Sequence, residues 1–419
     1  MSDQVHSRKS FLNHTLVNAG GIAAGQLIVL LATPVLARRY TPAEFGVYAS
    51  LVAVCGVIAT GAALRFDKAL PATQDGEIPS TYRLGLLACV ASLLLGAFAV
   101  GLGAQRYLPW PQPLASMALA MLCVASGALQ ALMAMSAAVL VRRGAFLPLA
   151  FLRMTQPACF VTAALLPVPG GLPVAFTIGL VAAVLSGLAF SLRELVASAR
   201  VRAKAVARKY WEYPVVSLPM AVLDTLTLSL PLLFIVQHYG DAAGGNYSQV
   251  QRLAAAPLLL LANAISQVFY KHAGDVARAG QSPRALMWRT VRDLVLAGAA
   301  IIAFVALAGE PVLSLFLGKG WRIDSHYLLL VLLPAVFRVS VSPITSIFLV
   351  MEQVRFGALW QVIYAAATWG VLSFASGRSS LDDLLLAVLL NELVLYGLYL
   401  WMADIAVRRG ERKAIQCAA

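Results

Sequence analysis

The sequence predicts an all-α polytopic membrane protein, with about twelve transmembrane helices in two halves of six. Three observations predict it: an excess of apolar residues, a succession of apolar runs of spanning length, and Lys and Arg gathered on one side of those runs. The chain is 60% hydrophobic and 12% charged, with a mean hydropathy of +0.80. A water-soluble domain is nearer half apolar and a quarter charged. That much apolar surface cannot be hidden by folding the chain on itself, and a bilayer is the solvent that accepts it.

A helix needs about 20 apolar residues to cross the hydrocarbon core. The runs fall at 16–37, 45–64, 84–104, 115–141, 146–166, 172–192, 214–238, 246–270, 290–309, 326–350, 356–374 and 383–403. The first is longer than a signal-peptide core and reads as a retained helix. Short turns separate the runs, such as Tyr40-Thr41-Pro42, Val168-Pro169-Gly170-Gly171 and Tyr239-Gly240-Asp241. No connection is long enough for a separate soluble domain.

The net charge of +13 would suggest nucleic acid in a soluble protein. Here the basic residues lie between apolar runs, so the positive-inside rule explains them and no nucleic-acid partner is expected. With the N-terminus in the cytoplasm, 23 of the 32 Lys and Arg fall on the cytoplasmic side and 6 on the other. Both termini are then cytoplasmic. Arg153, Arg252 and Arg338 remain inside helices.

The longest basic connection, 193–211, divides the runs six and six, giving halves 1–200 and 201–419. A faint repeat accompanies the division: Tyr40, Ala43, Gly46 and Tyr48 recur at a constant offset as Tyr239, Ala242, Gly245 and Tyr247. Each set follows the first helix of its half, a pattern that fits two halves of parallel orientation.

Several chemistries are missing from the sequence. It has no HExxH, no GxSxG and no Walker A loop; Gly318-Lys319-Gly320 is an isolated turn. Its His residues have no metal-ligand spacing. Of the cysteines, Cys55, Cys89, Cys123 and Cys159 sit in apolar runs and Cys417 near the C-terminus, with no CxxC pair. No cofactor, metal site or catalytic residue is expected, and an enzyme is disfavoured. A polymerase or acyltransferase would need a large outward loop or a catalytic His, and the longest outward loop, 310–325, contains no His.

Two stretches carry a family resemblance. In 13–77, Ala37-Arg38-Arg39-Tyr40-Thr41-Pro42-Ala43-Glu44-Phe45-Gly46-Val47-Tyr48 is followed by Leu64-Arg65-Phe66-Asp67-Lys68-Ala69-Leu70-Pro71. In 209–274 the matching features are Tyr213-Pro214, Leu218-Pro219, Tyr247, Arg252-Leu253, Pro257 and Ile265-Ser266-Gln267-Val268-Phe269-Tyr270. Both resemble the polysaccharide transporter family of oligosaccharide-lipid flippases, within the multidrug/oligosaccharidyl-lipid/polysaccharide exporter superfamily. Two departures stand out: Ala43 occupies a position where Glu is usual, and the acidic loop after the second helix is thinner.

The resemblance implies two halves around a V-shaped central cavity in the bacterial inner membrane. It implies translocation of undecaprenyl-diphosphate-linked oligosaccharide repeat units for O-antigen, capsule or exopolysaccharide. The implied partners are that lipid-linked glycan, membrane lipids, and a polysaccharide polymerase with its chain-length regulator. The alternative is a cation-coupled multidrug antiporter of the same superfamily, which would line its cavity with acids and aromatics.

A charge at mid-bilayer costs about 2.5–3.5 kcal/mol on insertion scales, so charges inside the runs are the candidate site. By helical rise, Arg153 lies roughly 10 Å from the cytoplasmic end of its run and Arg252 roughly 9 Å from the opposite end of its own. Arg338, Asp224 and Glu392 lie near the middles of theirs. Arg65, Arg153, Arg338 and Arg252 could form a cationic ladder for an anionic cargo. The competing reading is pairing inside the bundle, such as Arg338 with Asp224 or Glu392. Those two acids are also candidates for ion coupling. Arg252 further resembles an Arg that lines the cavity of the related lipid II flippases. Glu44 reads as a helix cap, and Gly21 and Gly25 as a GxxxG packing face. Pro219, Pro231 and Pro257 read as kinks.

Overall fold

The computed structural model describes residues 2–106, 116–197, 201–279, 281–318, 320, 321, 323–351, 353–375 and 380–418. It gives the backbone alone for 2–19, 254–261, 263, 264, 267, 349, 354 and 412–418. The described residues form helices and turns, with no strand among them.

The long helices are α1 (Ser2–Arg39), α2 (Pro42–Ala62), α3 (Ile78–Gly101), α4 (Met117–Arg143), α5 (Phe146–Leu165) and α6 (Gly171–Val196). They continue as α7 (Leu218–Tyr239), α8 (Asp241–Arg278), α9 (Arg284–Leu317), α10 (Ser325–Val341), α11 (Val354–Ala375) and α12 (Leu381–Ala418). Each apolar run falls largely on one of them, except that the run 326–350 continues past α10 through a 3-10 turn, Ser342–Ser346, and a short helix, Ile347–Val350. Among the described residues, 10 helices are long and apolar enough to cross a membrane; α5 and α8 fall outside that set. Both of those carry polar side chains: Arg153 and Gln156 in α5; Asn246, Gln249, Gln251 and Arg252 in α8. The chain is a multi-pass membrane protein. Outward apolar residues such as Leu94, Phe98, Leu147 and Leu307 are well exposed to the lipid solvent that its composition requires.

Local signals set several helix starts. Thr41-Pro42-Ala43-Glu44 is a capping box: the Thr41 backbone N–H donates to Glu44 Oε2 at 2.8 Å, and the Glu44 N–H donates to Thr41 Oγ1 at 3.3 Å. Pro42 occupies the first helical position, where its missing N–H costs nothing. At the head of α12, Ser380 and Asp383 exchange the same pair of bonds, at 3.1 and 3.2 Å.

The chain divides into two compact units, Met1–Ser229 and Leu230–Ala419. The sequence places the division at 200/201, and residue 200 lies outside the described residues. α7 begins in the first unit because its opening turns are tied to α2. The hydroxyls of Thr60 and Thr225 lie 3.2 Å apart, and Gly61 faces Leu218 and Val222.

In the first unit α1 packs on α5, α5 on α6, and α4 on α2, α3 and α6. Gly21 and Gly25 make the α1–α5 contact possible. A Cβ on Gly21 would lie 2.7 Å from the Ala150 Cα, and one on Gly25 would lie 3.1 Å from the Arg153 carbonyl oxygen. Tyr48, Phe160 and Phe176 form an aromatic core, with Tyr48 stacked on Phe160 at 5.4 Å. The basic connection is anchored rather than loose. Val206 and Tyr210 are buried in the core with Tyr82 and Met135. Glu77 accepts from Lys209 Nζ at 2.6 Å and from the Tyr210 hydroxyl at 2.8 Å. The hydrogen bond to Glu77 holds the Lys209 ammonium above the usual lysine range, and burial pushes the Tyr210 hydroxyl up.

In the second unit α10 packs on α8, α9 and α12, and α11 on α12. Its core joins Phe269, Met287, Val291, Phe348, Tyr399 and Met402.

The sequence repeat has a structural counterpart inside each unit. The Tyr40 hydroxyl donates to the Ala164 carbonyl oxygen at 2.8 Å, at the connection from α5 to α6. The Tyr239 hydroxyl donates to the Ser380 carbonyl oxygen, at a longer 3.4 Å, at the connection from α11 to α12. In both halves the tyrosine after the first helix reaches the join between the fifth and sixth.

Candidate functional site

The second unit holds a buried charged pair. Arg338 leaves α10 between buried aliphatics, and Glu392 leaves α12, which packs against α10. Arg338 Nη2 lies 3.6 Å from Glu392 Oε1, with side chains 27% and 2% exposed. The Tyr364 hydroxyl of α11 donates to the same carboxylate oxygen at 2.7 Å. Arg338 Nε and Glu392 Oε2 are buried without a hydrogen-bond partner. A charge pair in a low-dielectric interior is sustained only when the partners and their remaining polar atoms are satisfied. Here the pair is half satisfied, with one buried polar atom of each member left unpaired among the described residues.

Aromatic hydroxyls enclose the pair. Tyr247, Tyr364 and Tyr396 all lie within electrostatic reach of Arg338 and are buried. Trp360 stacks on Tyr364 and meets Tyr399 edge-on, each at 4.8 Å. On α8, Gln251 Nε2 donates to the Tyr247 hydroxyl at 2.7 Å. Arg252 follows directly on that helix, half-buried. It has no ion pair or hydrogen bond among the described residues. Four helices, α8, α10, α11 and α12, therefore bring a carboxylate, a guanidinium and phenol hydroxyls together, with a second guanidinium about 7.5 Å along α8 from Tyr247.

The other candidates belong to the first unit. Arg153 is half-buried on α5, behind the close α1 contact at Gly25. Arg65 lies in the turn after α2, at the start of the short helix Phe66–Ala69, in a left-handed conformation, φ 62°, next to Leu64 at φ 49°. Two successive non-glycine residues at positive φ cost of order 1–3 kcal/mol each and mark a constrained turn. That turn buries Arg65 Nε without a partner. Asp224 lies exposed on α7. The structure thus joins Arg338 to Glu392, puts Arg252 on α8, five residues beyond Tyr247, and assigns Arg65, Arg153 and Asp224 to the other unit.

Chemically, the cluster offers one compensated charge pair and several phenol hydroxyls. Arg338 is countered by Glu392, so Arg252 and Arg65 are the guanidinium groups whose charge is available. No group of His, Cys, Asp and Glu among the described residues could hold a metal ion. The tyrosines are what sequence reasoning missed. A signal was present: Glu392, Tyr396 and Tyr399 lie at helical spacing, and so do Trp360 and Tyr364.

A family model described as polysaccharide biosynthesis protein matches residues 35–323. Among solved structures, the chain is similar to the lipid II flippase MurJ in an inward closed conformation, with a TM-score of 0.68. Identity is 14%, covering 96% of this chain and 89% of that one. It is similar to a multidrug resistance MATE family transporter of the MOP superfamily in an inward-facing conformation. There the TM-score is 0.64 and the identity 12%, over 95% and 96% of the two chains. A third is a MOP superfamily transporter from Pyrococcus furiosus described as having a binding pocket of reverse polarity. Its TM-score is 0.61 and its identity 12%, over 95% and 96%. These identities show a shared fold, that of MOP superfamily transporters. Comparison with curated protein sequences gave no match.

Proposed function

Since the chain belongs to the polysaccharide biosynthesis protein family, we propose that it is a flippase for undecaprenyl-diphosphate-linked oligosaccharide repeat units. In this reading it moves them from the cytoplasmic to the outer leaflet of the bacterial inner membrane, for O-antigen, capsule or exopolysaccharide. The observation that carries it is Arg252, a half-buried guanidinium in a membrane helix with no ion pair among the described residues. An unpaired cation at that depth is costly unless it faces water or an anionic ligand. A guanidinium grips phosphate through two parallel hydrogen bonds, and the cargo carries a diphosphate.

The Lys/Arg bias supports placing both termini in the cytoplasm. The protein makes and breaks no covalent bond in this reading, and it hands its cargo to a polysaccharide polymerase with its chain-length regulator. A drug/cation antiporter is favoured less, because Glu392 is committed to Arg338 and Tyr364.

The test is the purified full chain in sealed proteoliposomes containing a fluorescent undecaprenyl-diphosphate oligosaccharide. Accessibility of the glycan to an impermeant glycosidase is followed without ATP. The expected result is protein-dependent exposure, with or without an imposed ion gradient. Strict dependence on ATP hydrolysis, or no glycan movement while a hydrophobic cation is transported, would overturn the proposal.

A further inference from the structure

Where α4 turns into α5 and α6 ends, the first unit contains a cavity of about 620 Å³. Its walls include Val139, Leu140, Arg143, Phe190, Arg193 and Glu194. Arg143 donates to Glu194 Oε1. Glu194 is only 5% exposed, and its other oxygen, Oε2, is buried with no hydrogen-bond partner. The Arg193 side chain is exposed and has no ion pair or hydrogen bond among the described residues. The neighbouring Arg142 is committed to Asp75 at 2.8 Å. The cavity therefore holds two guanidinium groups against one carboxylate, an excess of one positive charge.

Its surroundings are apolar and outward-facing. Leu147 is 76% exposed and Val196 74%, and Phe151 meets Phe190 edge-on at 5.9 Å. In a bilayer that belt faces acyl chains. By the Lys/Arg bias, this end of the unit lies at the cytoplasmic surface, where basic clefts between helices hold lipid headgroups.

We infer that this cavity binds the headgroup of a singly anionic, hydroxyl-bearing phospholipid, phosphatidylglycerol in its simplest form. Its single phosphodiester charge cancels the single excess positive charge. Arg193 supplies the fork that fits phosphate oxygens. A glycerol hydroxyl donates to Glu194 Oε2, a buried acceptor that otherwise stays unsatisfied. The acyl chains lie along Leu147, Phe151 and Val196. Phosphatidylethanolamine supplies a donor but adds an ammonium, which restores the excess charge. Inorganic phosphate lacks the chains. The site lies apart from the proposed cargo residues and does not depend on the flippase reading.

The experiment is native mass spectrometry and thermal unfolding of the detergent-solubilised full chain. It is titrated separately with short-chain phosphatidylglycerol, phosphatidylethanolamine of equal chain length, and inorganic phosphate. Phosphatidylglycerol should bind about tenfold more tightly than phosphatidylethanolamine, a preference that Arg193→Gln removes and Arg193→Lys partly keeps. Equal binding of the two phospholipids by the unaltered chain overturns the inference. So does an unchanged preference in Arg193→Gln. If inorganic phosphate reproduces the whole thermal shift, the ligand is a free anion and the lipid assignment fails. Should Arg193→Gln not fold, the three-ligand comparison on the unaltered chain decides alone.

Discussion

Arg338 of α10 and Glu392 of α12 face each other at 3.6 Å, and Tyr364 bonds the same carboxylate oxygen from a third helix. Opposite charges so placed cancel much of each other's field, while each keeps a buried polar atom without a partner. Removing one member leaves an uncompensated charge, whereas removing both leaves a hydrophobic joint. Arg338→Met or Glu392→Leu alone should lower stability by about 3–5 kcal/mol. The double variant should recover most of that in thermal unfolding of the solubilised protein. If the two losses simply add, the pair is not coupled.

Arg252 is expected to behave differently, because its side chain has no partner among the described residues to be orphaned by its loss. Arg252→Ala should leave the protein inserted and abundant while cargo movement falls roughly 10- to 100-fold, the loss of one charge-assisted contact. Arg252→Lys should keep part of the activity, since Lys offers a point charge in place of a fork. Normal export by the Ala variant would remove the observation on which the flippase reading rests. Disappearance of the protein from the membrane would make Arg252 a structural residue.

The latch of Glu77 with Lys209 and Tyr210 should open on the alkaline side. Lys209 is held above its ordinary range by Glu77. Its contribution is therefore fully present below the unfolded-state lysine pKa, about 10.4, and is lost as pH rises through the higher folded value. Tyr210, raised by burial, shifts in the same direction. Protease cleavage in the basic connection 193–211 should be slow and flat through neutral pH and accelerate in alkali. Cleavage should accelerate again in strong acid, where Glu77, held below the usual carboxylate range by Lys209 and Tyr210, takes up a proton. Glu77→Gln should make it fast throughout. A cleavage rate that changes near neutrality would contradict this assignment.

Close packing of α1 on α5 gives a sterically clean test. Gly21→Ala places a methyl 2.7 Å from the backbone of Ala150, while a Cβ on Gly20 meets nothing within 4 Å. The first substitution should cost about 1–3 kcal/mol and the second should be near neutral in the same unfolding assay. Adding Ala150→Gly to the first should recover only part, because the Ala150 Cα itself is in the way.

Much of the fold was legible because hydrocarbon thickness sets one length for every span. All the apolar runs land on helices, though α8, α9 and α12 extend well past them. Polar ends such as Asp241–Asn246 and Arg284–Arg289 continue a helix without lengthening its apolar part. The capping role of Glu44 was legible too, since Thr41-Pro42-Ala43-Glu44 is a purely local pattern. The partner of Arg338 was not. Hydropathy gives the depth of a residue, and Asp224 and Glu392 are both at mid-run; only the packing of α12 on α10 selects Glu392. The left-handed turn at Leu64 and Arg65 carries no Gly or Asn to announce it. The bond from Lys209 to Glu77 spans 132 residues and has no local signature.

The tyrosines at 40 and 239 turn each set of six rods into a plate. A rod held only by lipid and side-chain packing can slide or tilt on its own; one whose leading turn is stapled to the join between the fifth and sixth cannot. A plate carries a push from one edge to the other, so a load on one helix is shared across its half. Bending is left to chain outside the staples. There, the π turn Tyr213–Ser217 and Pro231 already interrupt the backbone ladder of α7 and its approach.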